Sequence, residues 1–138
     1  MAVALVAAAA ALTFPHGLVE LATPHGAVTV RVELANTDAR RAQGLMFRKR
    51  LAPRAGMLFT FPAATRGGFW MKSTLIPLSI AFADENGKIV RILDMAPCTR
   101  DPCRVYDPRV AYRSALEVNR GAFRRWRVRA GDWIVRLR

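Results

Sequence analysis

The chain has 138 residues, 52% of them hydrophobic, and its 22 Lys and Arg outnumber its 10 Asp and Glu to give a net charge of +12. This length suits one domain and is too short for two ordinary ones. The hydrophobic content excludes an intrinsically disordered chain, because disorder requires low hydrophobicity together with high charge. The excess positive charge must therefore lie on a folded surface, where it favours anionic partners.

The N-terminal residues 2–12 form an uncharged, alanine-rich run that is too short to span a bilayer as a helix. The run resembles the hydrophobic region of a secretory signal, with Ala9 and Ala11 fitting a small-residue cleavage site, although the usual basic start is missing. We interpret residues 1–14 as a signal-peptide remnant or mobile tail and residues 15–138 as a single domain. This interpretation predicts an exported protein that is periplasmic or associated with the cell envelope.

Short alternations of apolar and polar residues, separated by turn residues, are typical of half-buried strands and run through the rest of the chain. Two Pro-His-Gly segments, at 15–17 and 24–26, are predicted turns, each preceding an extended run. The predicted strands are 18–21, 28–34, 57–61 (ending at Pro62), one that begins at 69–71, 77–83, 89–95, 112–118 and 133–137. A turn at 84–88 joins two of them into a hairpin.

Two short helices are predicted between these strands. Asn36, Thr37 and Asp38 supply an N-cap signal for a helix over 38–45, and 120–126 fits a second helix. Residues 96–110 form a long connection that contains both cysteines. The pattern predicts a mainly β domain at the α+β margin, barrel-like or sandwich-like, with six to eight short strands.

The two cysteines, Cys98 and Cys103, enclose an Asp-Pro pair, and their spacing suits a small disulfide-closed loop. Free thiols, redox chemistry and metal binding are the alternatives. The motif is not Cys-x-x-Cys, and a zinc site would need more ligands, while His16 and His25 are far away in sequence. We predict a structural disulfide, no metal and no cofactor.

Several motifs of the chain resemble one known family. They are Gly44-Leu45-Met46-Phe47-Arg48, Gly56-Met57-Leu58-Phe59 with Phe61-Pro62, Phe69-Trp70-Met71-Lys72 with Thr74, Ile76-Pro77-Leu78 and Ile80-Ala81-Phe82, Asp84 with Gly87, Pro97-Cys98-Thr99 with Asp101-Pro102-Cys103, and Ala115-Leu116-Glu117-Val118 with Gly131-Asp132. The family is the bacterial and archaeal domain of unknown function 192. The resemblance implies a small, mainly β, often exported domain and supplies no activity. Many members have Asp where this chain has Ser79, so no role for that carboxylate is implied here.

The polar residues inside these motifs are the candidate ligand-binding residues. They are Arg48, Trp70, Lys72, Thr74 and Glu117, with Asp84 and Tyr106 as weaker candidates. Strand alternation directs Trp70 and Lys72 to one side and Phe69 and Met71 to the other. If Phe69 and Met71 face the core, Trp70 and Lys72 form an exposed aromatic–cation pair, which suits a sugar ring, a base or a carboxylate.

Arg48 and Glu117 each allow two interpretations. Arg48 either binds an anion through two guanidinium nitrogens or bonds carbonyls at the end of the first helix. Glu117 is the one catalytic candidate, as a general base, but we favour a salt bridge from Glu117 to Arg48 or Lys72.

Three functions follow as hypotheses. The first is a non-catalytic binding module for a small anionic or glycan-like ligand at the cell envelope, acting as a monomer and associating with an anionic membrane surface. The second is a hydrolase or transferase that uses Glu117 with Arg48 and Lys72; no nucleophile elbow, zinc-protease motif or phosphate-binding loop supports it. The third is nucleic-acid binding through the basic C-terminal region, where arginines alternate with Phe123 and Trp126, and export argues against it.

Overall fold

The computed structural model describes residues 11–138 and contains nine strands and two short helices. The elements in chain order are β1 (His16–Thr23), β2 (Gly26–Ala35), α1 (Asp38–Gln43), β3 (Ala55–Thr65), β4 (Phe69–Trp70), β5 (Leu78–Ala83), β6 (Ile89–Met95), β7 (Val105–Tyr106), β8 (Tyr112–Asn119), α2 (Ala122–Arg125) and β9 (Trp133–Arg136). The prediction of a single, mainly β domain is confirmed. Residues 1–10, which carry most of the predicted signal remnant, lie outside the described residues.

Seven of the strands form one mixed sheet in the order β6-β5-β8-β3-β2-β1-β9, and β4 pairs with β7 in a separate two-stranded sheet. Neighbours in the large sheet are antiparallel except β2 and β3, which are parallel. The sheet curls until its two edges meet, because Ile134 donates its N–H to the Gly87 carbonyl at 2.8 Å and Ile89 donates to Asp132 at 2.8 Å. The fold is therefore barrel-like.

Hydrophobic residues pack on both faces of the central strands. One cluster centres on residues such as Val30, Leu116 and Val118, and the second on residues such as Met57 and Phe82. All six residues of β5 are buried, because β5 contributes to both clusters. The small β4–β7 sheet and the long connection lie over the second cluster, and the candidate site is on that face. Neither helix in the described part of the chain is long and apolar enough to cross a membrane.

Three local predictions differ from the structure. The turn predicted at 15–17 is wrong, since β1 begins at His16 and its backbone is paired: Leu34 donates to the Pro15 carbonyl at 2.7 Å and Leu18 to the Arg138 carbonyl at 2.9 Å. Strand β3 does not end at Pro62 but continues to Thr65, because its register with β8 shifts there and proline is tolerated at such an irregularity. Strand β7 was not predicted, since two residues in a proline-rich connection give no alternation.

The C-terminal end of helix α1 forms one wall of the candidate site. The Thr37 hydroxyl accepts a hydrogen bond from the Arg40 N–H at 3.2 Å, which confirms the predicted N-cap. The helix ends at Gly44, which has a φ of +50° and whose N–H is donated to the Arg40 carbonyl. A Cβ at Gly44 would lie 3.2 Å from the Phe59 ring, so glycine lets the helix end pack closely against β3.

Candidate functional site

A cavity of about 510 Å³ opens between the end of α1, strands β3 and β8, and the β4–β7 sheet. We call it the aromatic cavity because five of its lining residues are aromatic: Phe59, Phe61, Phe69, Trp70 and Tyr112. Its polar side chains include Arg41, Thr74 and Glu117. The structure therefore brings together three of the predicted site residues, Trp70, Thr74 and Glu117.

The aromatic wall is held by edge-to-face contacts. The Phe69 ring centroid lies 5.0 Å from that of Phe59 and 5.7 Å from that of Phe82, and Tyr112 lies 5.5 Å from Phe61 and 4.8 Å from Phe82. Such pairs stabilise beyond their buried area and fix the ring orientations. The wall is therefore a preformed apolar surface.

Glu117 contributes a carboxyl group to the cavity from the central strand β8. Its cross-strand neighbours are Met57 on β3 and Ile80 on β5, both fully buried, and Glu117 itself is 5% exposed. No ion pair and no side-chain hydrogen bond within residues 11–138 involves the Glu117 carboxyl group. In the same residues no side-chain oxygen or nitrogen that is fully shielded from solvent lacks a hydrogen-bond partner, so the Glu117 carboxyl oxygens are open to the cavity. Burial raises the pKa of Glu117 to about 8. At neutral pH the group is therefore mostly a neutral acid, able both to donate and to accept a hydrogen bond.

The other polar groups of the cavity are engaged within the chain. The Arg41 guanidinium donates to the Thr60 carbonyl and to Asp38, both at 2.7 Å, and the Thr74 hydroxyl donates to the Lys72 carbonyl at 3.2 Å. The Tyr112 hydroxyl donates to the Gly67 carbonyl. Burial, with a smaller contribution from the negative charge of Asp107, raises the pKa of Tyr112 to about 12, so this hydroxyl stays neutral.

The exposed aromatic–cation pair predicted for Trp70 and Lys72 is confirmed. Met71 is buried while Trp70 and Lys72 are exposed, and the Lys72 Nζ lies 5.4 Å from the Trp70 ring centroid. Lys72 Nζ also lies 3.8 Å from the Asp101 carboxylate. Trp70 lines the aromatic cavity, and Lys72 lies outside its lining.

Arg48 lines a different depression. This groove, of about 680 Å³, is bordered by Arg31, Arg48, Arg50 and Arg138, and we call it the arginine groove. Arg48 binds Glu33 through two guanidinium nitrogens at 2.8 and 3.0 Å. The salt bridge expected from Glu117 to Arg48 or Lys72 is wrong, because both cations pair with other acids and Glu117 faces the buried side of β8.

The weaker candidates have structural contacts. Asp84 accepts hydrogen bonds from the N–H groups of Asn86 and Lys88 and so closes the β5–β6 turn. The Tyr106 hydroxyl accepts from the Ala96 N–H at 3.0 Å. Neither residue lines the aromatic cavity.

The predicted disulfide between Cys98 and Cys103 is confirmed. Cys98 donates its N–H to the Met71 carbonyl at 3.4 Å, and Asp101 faces Lys72, so the loop is fastened beside β4. Asp101 also lies within 4.8 Å of both sulfur atoms, but these are bonded to each other and are not metal ligands.

The two aromatic residues that alternate with arginine in the basic C-terminal region, Phe123 and Trp126, pack largely in the interior. Phe123 is buried, and Trp126 is half-buried and packs against the first hydrophobic cluster. The Arg124 guanidinium lies 3.9 Å from Asp94. The aromatic residues that alternate with arginine in the sequence therefore belong to the core.

The cavity residues that were not among the sequence candidates include Arg41, Phe59, Phe61 and Tyr112. A period of two places Met57, Phe59 and Phe61 on one face of β3, which was a usable signal for an aromatic wall. What joins this wall to Glu117 is the pairing of β3 with β8, a contact between distant segments. The local pattern carries no information on that pairing.

Fold and site together define a barrel-like, mainly β domain with an aromatic cavity over a buried carboxyl group. The family model of domain of unknown function 192, described as "Uncharacterized ACR", matches residues 20–135. The chain belongs to this family.

Two crystal structures have the same fold. A protein from Sinorhizobium meliloti 1021, described as a candidate transcription regulator, is 32% identical with a TM-score of 0.85, over 92% of this chain and 98% of that one. A protein of unknown function from Novosphingobium aromaticivorans DSM 12444 is 30% identical with a TM-score of 0.81, over 92% of this chain and 93% of that one. Among curated proteins, none matches this sequence.

Proposed function

We propose that the protein is a non-catalytic binding module for a small, uncharged, glycan-like ligand at the cell envelope. The observation that carries this proposal is the Glu117 carboxyl group, which lines an aromatic cavity from a side chain that is 5% exposed and forms no ion pair within residues 11–138. A ligand that fills the cavity can hydrogen-bond to this carboxyl group, as ligands do with the few polar groups of mostly apolar sites. The cavity volume of about 510 Å³ falls in the range of small-molecule sites.

The chemistry of the cavity favours an uncharged ring over an anion. The apolar face of a sugar can lie on Trp70 or Phe69, and its hydroxyl groups can exchange hydrogen bonds with the neutral acid Glu117. Arg41 is the one basic side chain among the described cavity residues, and its guanidinium is already bonded to Thr60 and Asp38. An anionic group would therefore lack a free cation in this cavity.

The disulfide supports the envelope location. Disulfides persist in oxidising compartments and are rare in the cytosol of most organisms. The Cys98–Cys103 bond agrees with the export expected from the apolar run at 2–12, and that run lies largely outside the described residues.

The catalytic alternative is less well supported, because its three residues do not converge. Glu117 lines the aromatic cavity, Arg48 binds Glu33 in the arginine groove, and Lys72 pairs with Asp101. Glycosidase chemistry normally uses two carboxyl groups, and Glu117 is the one carboxyl among the described residues that line this cavity.

Nucleic-acid binding is also less well supported. The description of the S. meliloti protein as a candidate regulator makes it worth weighing. Phe123 is buried and Trp126 is half-buried against the first hydrophobic cluster, so these two residues offer little ring surface on which bases could stack.

Calorimetric titration with neutral monosaccharides and disaccharides, and with the matching uronic acids, tests the proposal. We expect a neutral sugar to bind the wild type and Arg48→Ala equally. Glu117→Leu and Trp70→Ala should each weaken binding by roughly ten-fold or more, as expected for a lost buried hydrogen bond or stacking surface. Binding of the uronic acids alone, or equal losses in Arg48→Ala and Glu117→Leu, would contradict the proposal.

A further inference from the structure

Large apolar side chains are exposed on the segments that line the aromatic cavity. Five large hydrophobic residues of the described chain are at least half exposed, and all but Leu137 lie on these segments: Phe47, Trp70, Leu75 and Val105. We call these four the apolar collar. Soluble proteins expose single apolar residues routinely, but a cluster at one opening marks an interaction site.

The collar lies on segments that line the cavity. Trp70 and Val105 both line it and pair with each other across the β4–β7 sheet. Phe47 directly follows the lining residue Met46, and Leu75 directly follows the lining residue Thr74. These two segments touch, because Phe47 donates its N–H to the Ser73 carbonyl at 2.9 Å.

Basic residues alternate with the collar along the chain. Lys49 follows Phe47 by two residues, Lys72 follows Trp70 by two, and Arg104 directly precedes Val105. Arg66 stands between the lining residues Thr65 and Gly67. All four cations are exposed, while the nearest acids in these segments are Asp101, paired with Lys72, and Asp107.

We infer that the apolar collar docks the mouth of the aromatic cavity on an anionic lipid bilayer. Exposed Phe, Trp and Leu side chains insert at the boundary between headgroups and acyl chains, and neighbouring Lys and Arg interact with anionic headgroups. The net charge of +12 adds a long-range attraction to the same surface. This inference goes beyond ligand binding and does not depend on the identity of the ligand.

Co-sedimentation with lipid vesicles tests the docking. The vesicles consist of phosphatidylcholine alone or with roughly a third of phosphatidylglycerol, a content that gives a strongly negative surface. The collar variant is Phe47→Ser with Leu75→Ser, two residues outside the cavity lining. The matched control is Val135→Ser with Leu137→Ser, which are also exposed, have arginine neighbours and lie at the β9 end of the chain.

We expect the wild type and the β9 control to bind the anionic vesicles equally and the neutral vesicles weakly. The collar variant should bind the anionic vesicles about ten-fold or more weakly, because two large apolar side chains are lost. Equal binding of both variants would mean that charge alone holds the protein to the vesicle, and the inference would be overturned. Absence of binding by the wild type would overturn it as well.

Two further measurements test whether Trp70 lies at the bilayer and whether the collar instead joins two copies of the chain. Brominated lipid should quench the fluorescence of a Trp133→Phe variant, which keeps Trp70, more strongly than that of a Trp70→Phe variant. Sedimentation velocity compares the mass of the wild type with that of the collar variant. If the collar mutations convert a dimer to a monomer without changing vesicle binding, the collar is an interface between two copies and the inference is wrong. Loss of vesicle binding with intact sugar binding would separate the docking from the proposed function.

Discussion

Among the described residues, Glu117 has the pKa that is raised furthest from its ordinary value. A carboxyl group between Met57 and Ile80 loses most of its hydration and has no ion pair within residues 11–138, so its pKa rises to about 8. The folded protein therefore binds a proton that the unfolded chain releases above its ordinary pKa of 4.5. Protonation of one side chain thus links the stability of the fold to pH.

The stability of the wild type should fall as the pH rises from about 4.5 to about 8. Below this window Glu117 is protonated in both the folded and the unfolded chain, so it makes the stability no more dependent on pH. Above the window Glu117 is charged in both, and the folded protein bears the full cost of burying that charge. The cost amounts to several kcal/mol, since each unit of pKa shift corresponds to about 1.4 kcal/mol. Urea denaturation at a series of pH values measures it.

Glu117→Gln is the control for this pH dependence, because it keeps the shape and removes the titration. The two proteins share every other ionisable group, so the difference between the two curves isolates Glu117. We expect the Gln variant to become the more stable of the two as the pH approaches 8. Parallel curves would show that Glu117 is solvated or paired in solution.

Ser79 is a second buried polar residue, and it joins three elements. Its hydroxyl donates to Asp94 on β6 at 2.6 Å and accepts from the N–H of Gly121 before α2 at 3.0 Å. Ser79→Ala should destabilise the fold by about 1–3 kcal/mol, because the Gly121 N–H loses its acceptor. Ser114→Ala, on the half-buried position of β8, should cost less than ~0.5 kcal/mol, as is usual away from such contacts. Equal shifts of the urea midpoint would contradict this role.

At the scale of elements, the strands were predictable where each strand has one periodic face. The alternation at 28–34 and the hairpin around Asp84 and Gly87 both correspond to observed strands. Prediction failed where pairing with a distant segment determines whether a strand forms or where it begins. Strand β1 begins within a Pro-His-Gly segment because β2 and Arg138 pair with it, and β7 exists only through its pairing with β4.

The candidate site was predictable in the same partial way. Trp70, Thr74 and Glu117 were found as polar or amphipathic residues inside apolar motifs, and the cavity contains all three. The buried cross-strand neighbours of Glu117, Met57 and Ile80, were not predictable, because they follow from the order of strands in the sheet. A carboxylate in an arginine-rich chain suggests an ion pair, and only the central position of β8 reveals that no cation reaches it.

The disulfide between Cys98 and Cys103 should stabilise its own loop without being needed for the rest of the fold. Replacing Cys98 and Cys103 together by Ser should lower the free energy of unfolding by about 2 kcal/mol, the chain-entropy value for so short a loop. The seven-stranded sheet should survive, since the loop lies outside it. Chemical denaturation and far-ultraviolet circular dichroism measure the two effects. Reduced wild type should match the variant, and a loss of cooperative unfolding in either would show that the loop supports the whole sheet.

At the scale of the whole molecule, the positive charge is largely uncompensated. Four ion pairs connect side chains within residues 11–138, and two of them, Lys72–Asp101 and Arg124–Asp94, are long and exposed. Exposed pairs of this kind contribute little to stability. Repulsion among the remaining arginines therefore opposes folding, and the same charge favours an anionic surface.

Salt should consequently stabilise this protein. Raising sodium chloride from about 0.02 to about 0.3 M shortens the screening length to roughly 6 Å, and we expect the Tm to rise by a few degrees. A variant with Arg120, Arg125 and Arg129 changed to Gln should be more stable at low salt and respond less to added salt. Sodium sulfate at equal ionic strength is the control for specific anion binding. If sulfate alone raises the Tm, an anion occupies a defined position such as the arginine groove, and general repulsion is not what limits the stability of the fold.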